Sequence, residues 1–341
     1  MHWIRPGIPA LVLAPMEGVT DAPFRAFITR SGGFDYCVSE FIRVSAHPVP
    51  EHVFRRDVPE LVHHSRTPSG IPVQIQILGG DPGRMADSAR NALSAGALGI
   101  DINFGCPAPT VNRNDGGAAL LRFPERIEHI VRAVRDVVPA HLPVSAKLRL
   151  GFDDPEAIHE NAKRVEAGGA SWITIHGRTK TQGYTPPAYW KPIGRVSRSL
   201  SIPVVANGEI WSIEDFRTCQ EESSCVHFML GRGALAVPGL ARRIRKELGL
   251  NPAGGSPDLE FPVSPEASAW GRVFREYSQL QPSEKRLKQW ARYLHSRGSI
   301  SWWDEIKGLG SVEEILTRLG RPSEAPTSSE PATGHPSQIA P

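Results

Sequence analysis

The 341-residue chain predicts an α/β fold, a (β/α)8 TIM barrel followed by a C-terminal all-helical domain. Two observations point to the barrel. Eight short, β-rich apolar runs recur with starts roughly 25 to 45 residues apart, and most of the gaps hold a segment with helical apolar spacing. A third observation sets its limit: the alternation stops near residue 250.

In order the runs are "LVLAP" at Leu11, "YCVSE" at Tyr36, "VQIQIL" at Val73, "GIDINF" at Gly99, "VSAKLRL" at Val144, "WITIHG" at Trp172, "IPVVANG" at Ile202 and "CVHFMLG" at Cys225. Between them "PGRMADSARNALSAGA", "PERIEHIVRAVRDVV" and "PEAIHENAKRVEAGG" read as helices. An open doubly wound sheet shares this alternation, but the strand count and length favour closure, and no GxGxxG follows the first run. Residues 1–250 are therefore assigned to the barrel and 260–320 to a helical domain rich in tryptophan and basic residues. The last stretch, 321–341, is mostly Pro, Ser, Thr and Ala, so it is expected to be a disordered tail.

Composition is that of an ordinary soluble globular protein, with a net charge of only +3. No apolar run approaches the ~20 residues of a membrane helix, and "MHWIRPGIPALVLAP" lacks a signal peptide's apolar stretch and cleavage site. A cytoplasmic protein is the default expectation. Four cysteines without a CxxC pair indicate free thiols, with no disulfide framework and no metal site.

In such barrels chemistry gathers at the carboxyl ends of the strands. That rim carries Pro15, Met16 and Glu17, then Glu40 and Arg43, Gln76, Asn103 and Cys106, Lys147 and Arg149, His176 and Arg178, Asn207 and Glu209, and Gly231 and Arg232. So many polar groups beside apolar runs need a ligand or a network to satisfy them. The glycines of "ANGEI" and "LGRGAL" follow strands seven and eight, where phosphate sites often form, so a phosphate-bearing cofactor is expected. Alternation puts Lys147 inside the barrel, where it needs an anionic counterpart, either a reduced isoalloxazine or a carboxylate such as Glu209. Cys106, between glycine and proline, reads as an exposed thiol on a constrained loop, whereas Cys37 and Cys225 read as core and Cys219 as part of a helix. Such a thiol can be a nucleophile, a metal ligand or a proton donor.

With these residues assembled, the chain resembles the tRNA-dihydrouridine synthase family. The matching stretches are "LAPMEGVTD", "NFGCPAPTVN", "AKLRLG", "HGRTKTQGY", "ANGEI" and "GRGAL", in the family's order and spanning about residues 11 to 240. The resemblance implies FMN-dependent, NADPH-driven reduction of uridine in the tRNA D loop. It implies Cys106 as the catalytic acid that protonates carbon 5 after hydride reaches carbon 6. It implies FMN bordered by Pro15, Met16, Glu17, Gln76, Lys147 and His176, with Asn207, Gly208, Glu209, Gly231 and Arg232 along its ribityl chain and phosphate. Base removal from the stack costs a few kcal/mol, so RNA contacts must offset it. The candidates are Arg43, Asn103, Arg149 and Tyr184 near the pocket, and Lys285, Arg286, Lys288 and Arg292 in "EKRLKQWARYLHSRG", where basic residues interleave with aromatics.

The stretches "EFIRV", "RTPSG", "AHLPVSAKLRLG" and "LKQWARYL" resemble the DusC subclass, which acts at position 16, more than subclasses acting at 17, 20 or 20a. "PAPTVNRNDGG" departs from the commoner pattern, in which a basic residue follows the proline. Two other readings stand beside this one: a small-molecule pyrimidine flavin reductase similar to dihydroorotate dehydrogenases, and a non-catalytic RNA-binding protein. The basic helical segment argues against the first, and Cys106 with Lys147 and the glycine motifs against the second. A monomer is expected, because no apolar helix face seeks a partner.

Overall fold

Residues 3–113, 115–254, 260–262 and 264–320 are described in a computed structural model of the chain. The parallel strands are β1 (Ala10–Leu13), β2 (Tyr36–Val38), β3 (Ile42–Arg43), β4 (Val73–Leu78), β5 (Ile100–Phe104), β6 (Val144–Arg149), β7 (Trp172–His176), β8 (Val204–Asn207) and β9 (His227–Leu230). Strand β1 pairs with both β2 and β9, and β2 pairs with β4, so eight strands close into a barrel. All eight expected strands are present. The ninth, β3, only extends the end of β4, and its two residues carry no period that a sequence could display.

Alternation explains the two faces of the wall. Leu11, Leu13, Ile75, Ile77, Ile100 and Ile102 join the large apolar core beneath the helices. Their neighbours Val12, Tyr36, Val38, Trp172, Val205 and Met229 form a separate cluster within the barrel. Trp3 caps that cluster, 5.2 Å from the Tyr36 ring and 6.4 Å from Trp172. The rest of the interior is polar, with Gln74, Gln76, Asp101, Asn103, Ser145, Thr174 and Asn207 all buried.

Local sequence places the helices. In Pro124–Val137 the buried Ile127, Ile130, Val131 and Val134 follow i, i+3, i+4 and i+7, with proline opening the first turn. Asp81 caps Pro82–Ser94 by accepting from the Arg84 N–H at 2.8 Å.

Beyond residue 250 the chain forms helices Ala267–Ser278, Glu284–Ser296, Trp303–Ile306 and Val312–Leu319. They dock through Trp290. Its ring lies 5.4 Å from Phe27 of helix Ala22–Thr29, stacks on Phe274 at 5.0 Å, and donates from Nε1 to the Leu235 carbonyl at 3.1 Å. The large apolar core therefore runs without a break from the barrel into these helices. The expected tail, 321–341, lies outside the described residues. Among those residues no helix is long and apolar enough to cross a membrane.

Candidate active site

Strand β5 ends at Phe104, and the chain then turns across the barrel mouth. Asn103 shapes that turn, since its Oδ1 accepts from the N–H groups of Gly105 and Cys106, both at 2.9 Å. The Cys106 carbonyl accepts from Ala118 N at 3.0 Å and from Asn112 Nδ2 at 3.1 Å. Gly117 makes this closure possible. Its φ is +58°, and a Cβ there would lie 2.8 Å from the Cys106 oxygen. Cys106 is the half-buried cysteine of the four, whereas Cys37, Cys219 and Cys225 are buried. Burial pushes its thiol up, against the pull of the Ala108 N–H, Arg149 and Lys147, so it is protonated at neutral pH.

Below the loop lies a connected polar column. The strand register sets Gln76 beside Asp101, Asp101 beside Ser145, and Asn103 beside Lys147. Asp101 accepts from Gln76 Nε2 at 2.6 Å and from Ser145 Oγ at 2.5 Å, while Gln76 Oε1 accepts from Asn103 Nδ2 at 2.8 Å. Burial and the nearby Arg149 bring Lys147 down to about 8, with Asp101 acting in the opposite sense. His176 is held well below the ordinary histidine range by burial and by Arg149, Lys147, Arg178 and Arg232, so it is a neutral imidazole. Its Nδ1 is buried without a partner.

The loops after β8 and β9 form a charged clamp. Glu209, at φ +55°, pairs with the fully buried Arg178 at 2.7 Å and with Arg232 at 3.0 Å. The pairing of Lys147 with Glu209, weighed from the sequence, is therefore not made. Gly208 has φ +114°, its carbonyl accepts from Trp190 Nε1 at 2.9 Å, and His176 Nε2 lies 3.4 Å from where a Cβ would sit. Asn207 donates to the Met229 carbonyl at 2.8 Å. A Cβ on Gly231 would meet the Met16 sulfur at 3.6 Å, which brings the first and last rim loops together. Arg178 Nη1 is buried without a hydrogen-bond partner.

Several residues expected at the RNA are engaged within the protein. Arg149 is buried and donates to the carbonyls of Gly105, Thr179 and Gly183, so it ties rim loops together instead of facing the pocket mouth. Arg286 meets Asp21 at 3.3 Å and Glu40 at 3.7 Å, and its charge is spent on the barrel. Lys288 is held by Glu284 and the Leu309 carbonyl. Asn103 retains one amide hydrogen beyond its bond to Gln76, and its oxygen belongs to the loop. Lys285 and Arg292 are exposed, as is Arg43, which reaches the Thr110 carbonyl at 3.4 Å. Tyr184, 40% exposed, has the guanidinium groups of Arg149 and Arg232 at 5.2 and 5.0 Å from its ring centroid. Glu17 and Glu40 stand beside this mouth, and both carboxyls are raised, chiefly by partial burial. Asp101 is a further site residue, one not expected from the sequence. It sits inside a strand, but its two-residue offset from Asn103 was a usable signal.

A closed parallel barrel whose carboxyl-end rim assembles a protonated thiol, a half-buried lysine and a neutral imidazole defines an enzyme of the (β/α)8 class. The chain belongs to the dihydrouridine synthase family, whose model matches residues 12–312 and so takes in both the barrel and the helices. It is 44% identical over 312 residues to the tRNA-dihydrouridine(16) synthase of Shewanella oneidensis, covering 91% of this chain and 96% of that one. To the protein of the same name from Aquipseudomonas alcaligenes it is 50% identical over 234 residues, 69% of this chain and 74% of that one. Among solved structures, 2-naphthoyl-CoA reductase in complex with 2-naphthoyl-CoA shares the fold with a TM-score of 0.55 at 12% identity. That match covers 86% of this chain and 68% of the reductase.

Proposed function

We propose that this chain reduces uridine to 5,6-dihydrouridine at position 16 of the tRNA D loop, with FMN in the barrel mouth and NADPH as the electron source. The observation that carries the reading is the Cys106 loop, a half-buried, protonated thiol locked over a polar barrel by Asn103 and Gly117. The names of the relatives, at 44% identity over nearly their whole length, support position 16.

The residues present fit a planar anionic cofactor with a phosphate. Lys147 is a half-buried ammonium, His176 Nδ1 and Arg178 Nη1 are buried polar atoms without partners, and Gly231 keeps the rim beside Met16 free of a side chain. Pro15, Met16, Glu17 and Gln76 would border the ring, with Asn207, Glu209 and Arg232 toward the phosphate. Held by these residues, FMN would supply the hydride chemistry that reduction of uracil at carbon 6 requires. The Cys106 thiol then gives its proton to carbon 5. Lys147 and the spare Asn103 N–H hold negative charge at the reacting centre. Tyr184 offers a face for stacking, while Arg43, Lys285 and Arg292 hold the RNA backbone against the cost of extracting the base.

The test is to incubate the yellow protein with NADPH and tRNA lacking dihydrouridine, then map the product by nuclease digestion and mass spectrometry. Product at position 16 is expected. Product elsewhere overturns the position, and turnover of free uracil in its place overturns the substrate. Cys106→Ala is expected to bind tRNA and flavin without forming dihydrouridine, and unchanged product would remove Cys106 from the mechanism.

A further inference from the structure

We propose that Asp101 is a positioning residue that fixes the hydrogen-bond direction of a buried amide chain, and through it the orientation of the Cys106 loop. This rests on the functional reading above for its consequence, although the geometry stands without it. The chain runs through the side chains of Asn103, Gln76, Asp101 and Ser145. The N–H groups of Gly105 and Cys106 donate to Asn103 Oδ1 at 2.9 Å, and Asn103 Nδ2 donates to Gln76 Oε1 at 2.8 Å. Gln76 Nε2 donates to Asp101 Oδ2 at 2.6 Å. Asp101 Oδ1 is taken by Ser145 Oγ, which itself accepts from Gln74 Nε2 at 3.0 Å.

Every donor in this column points toward Asp101. An ionised carboxylate only accepts, so Gln76 must turn its NH2 to Asp101 and its oxygen to Asn103. Asn103 must then turn its NH2 to Gln76, leaving its oxygen for the two loop amides. Without Asp101, either amide can flip, and a flipped Asn103 would set an NH2 against the N–H of Cys106. The strand register builds the chain, since Asp101 and Asn103 project from one face of β5 between Gln76 on β4 and Ser145 on β6. All four side chains are buried, so bulk solvent does not reach the column to replace the lost acceptor.

Asp101→Ala removes the acceptor and Asp101→Asn restores one, because the amide oxygen can face Gln76 while its NH2 faces Ser145 Oγ. In the flavin-loaded protein, Asp101→Ala is expected to lower kcat about tenfold to a hundredfold with KM for tRNA unchanged. It is also expected to raise the rate at which iodoacetamide alkylates Cys106 in flavin-free protein. Asp101→Asn is expected to recover most of both. If Asp101→Ala alters neither kcat nor alkylation, or if Asp101→Asn recovers nothing, the proposal is overturned. Should Asp101→Ala fail to fold, Gln76→Glu and its combination with Asp101→Asn decide. Gln76→Glu alone sets two acceptors face to face, while the double variant again points every donor one way, so slow alkylation is expected to return only in the double variant. Alkylation is read without tRNA, so failure of the substrate assignment stays separate from failure of this one.

Discussion

Lys147 carries a pH dependence whose sign follows from its position on β6. Burial first and Arg149 second bring it down to about 8, so the ammonium is present below that pH and lost above it. An anion bound beside it raises this value by linkage, so retention of flavin is expected to weaken as pH rises through and beyond about 8. Release followed by flavin fluorescence checks this: Lys147→Arg should keep retention flat across the range, Lys147→Met should be weak throughout, and a wild type without alkaline release would refute the role. Lys147, Cys106 and His176 were legible because each is a polar residue at the end of an apolar run. Arg149 was legible as a rim residue but not in its role. Its partners are the carbonyls of Gly105, Thr179 and Gly183, and a sequence does not say which carbonyls a fold leaves open.

The loop from Gly105 to Arg122 and the helix Glu284–Ser296 each make a separable prediction. Gly117→Ala forces a side chain into left-handed backbone and against the Cys106 oxygen and Val111, both 2.8 Å from the new Cβ. It is expected to cost about 1 kcal/mol or more in stability, seen by chemical denaturation, and to depress turnover because the thiol's own carbonyl must move. In the helix, the buried stripe of Leu287, Trp290, Ala291 and Leu294 follows the apolar period and was readable. Which of its cations are free was not, because Arg286 is neutralised by Asp21 and Glu40, hundreds of residues earlier in the chain. Lys285→Ala and Arg292→Ala are therefore expected to weaken tRNA binding, each lowering the salt dependence by about one counterion, with melting temperature unchanged. Arg286→Ala should do the reverse, lowering the melting temperature more than it alters the salt slope. Equal behaviour of all three would mean that the helix meets RNA in some other orientation.

At the scale of the whole molecule, the barrel divides into a polar upper interior and an aromatic floor of Trp3, Tyr36 and Trp172, and that division places a titration inside the fold. The eight strands and their closure were legible from spacing, but the floor was not, since it is completed by Trp3, which lies outside any strand and meets rings from Tyr36 and Trp172 far along the chain. His227 opens β9 at that lower end, beside Ala10 and Val205, with both ring nitrogens buried and unpartnered. Burial brings it down to about 4, so folding favours the neutral ring while the unfolded chain takes up a proton near the ordinary histidine value of about 6.5. In that window the unfolded state binds more protons, so stability is complete above about 6.5 and falls with decreasing pH until about 4, by at most ~1.4 kcal/mol per pH unit. His176, depressed by burial and four cations, adds a slope of the same sign, whereas the raised carboxyls of Glu17, Glu40 and Asp101 act against both. Substituting His227→Leu keeps the site filled and removes one proton from the balance. Urea unfolding at about pH 7.5 and again near pH 5 is expected to show the stability gap narrowing by up to ~2 kcal/mol in the variant, with the denaturant slope unchanged. An equal gap in variant and wild type would show that His227 is protonated alike in the folded and unfolded chain, which requires solvent access to its ring in the folded state.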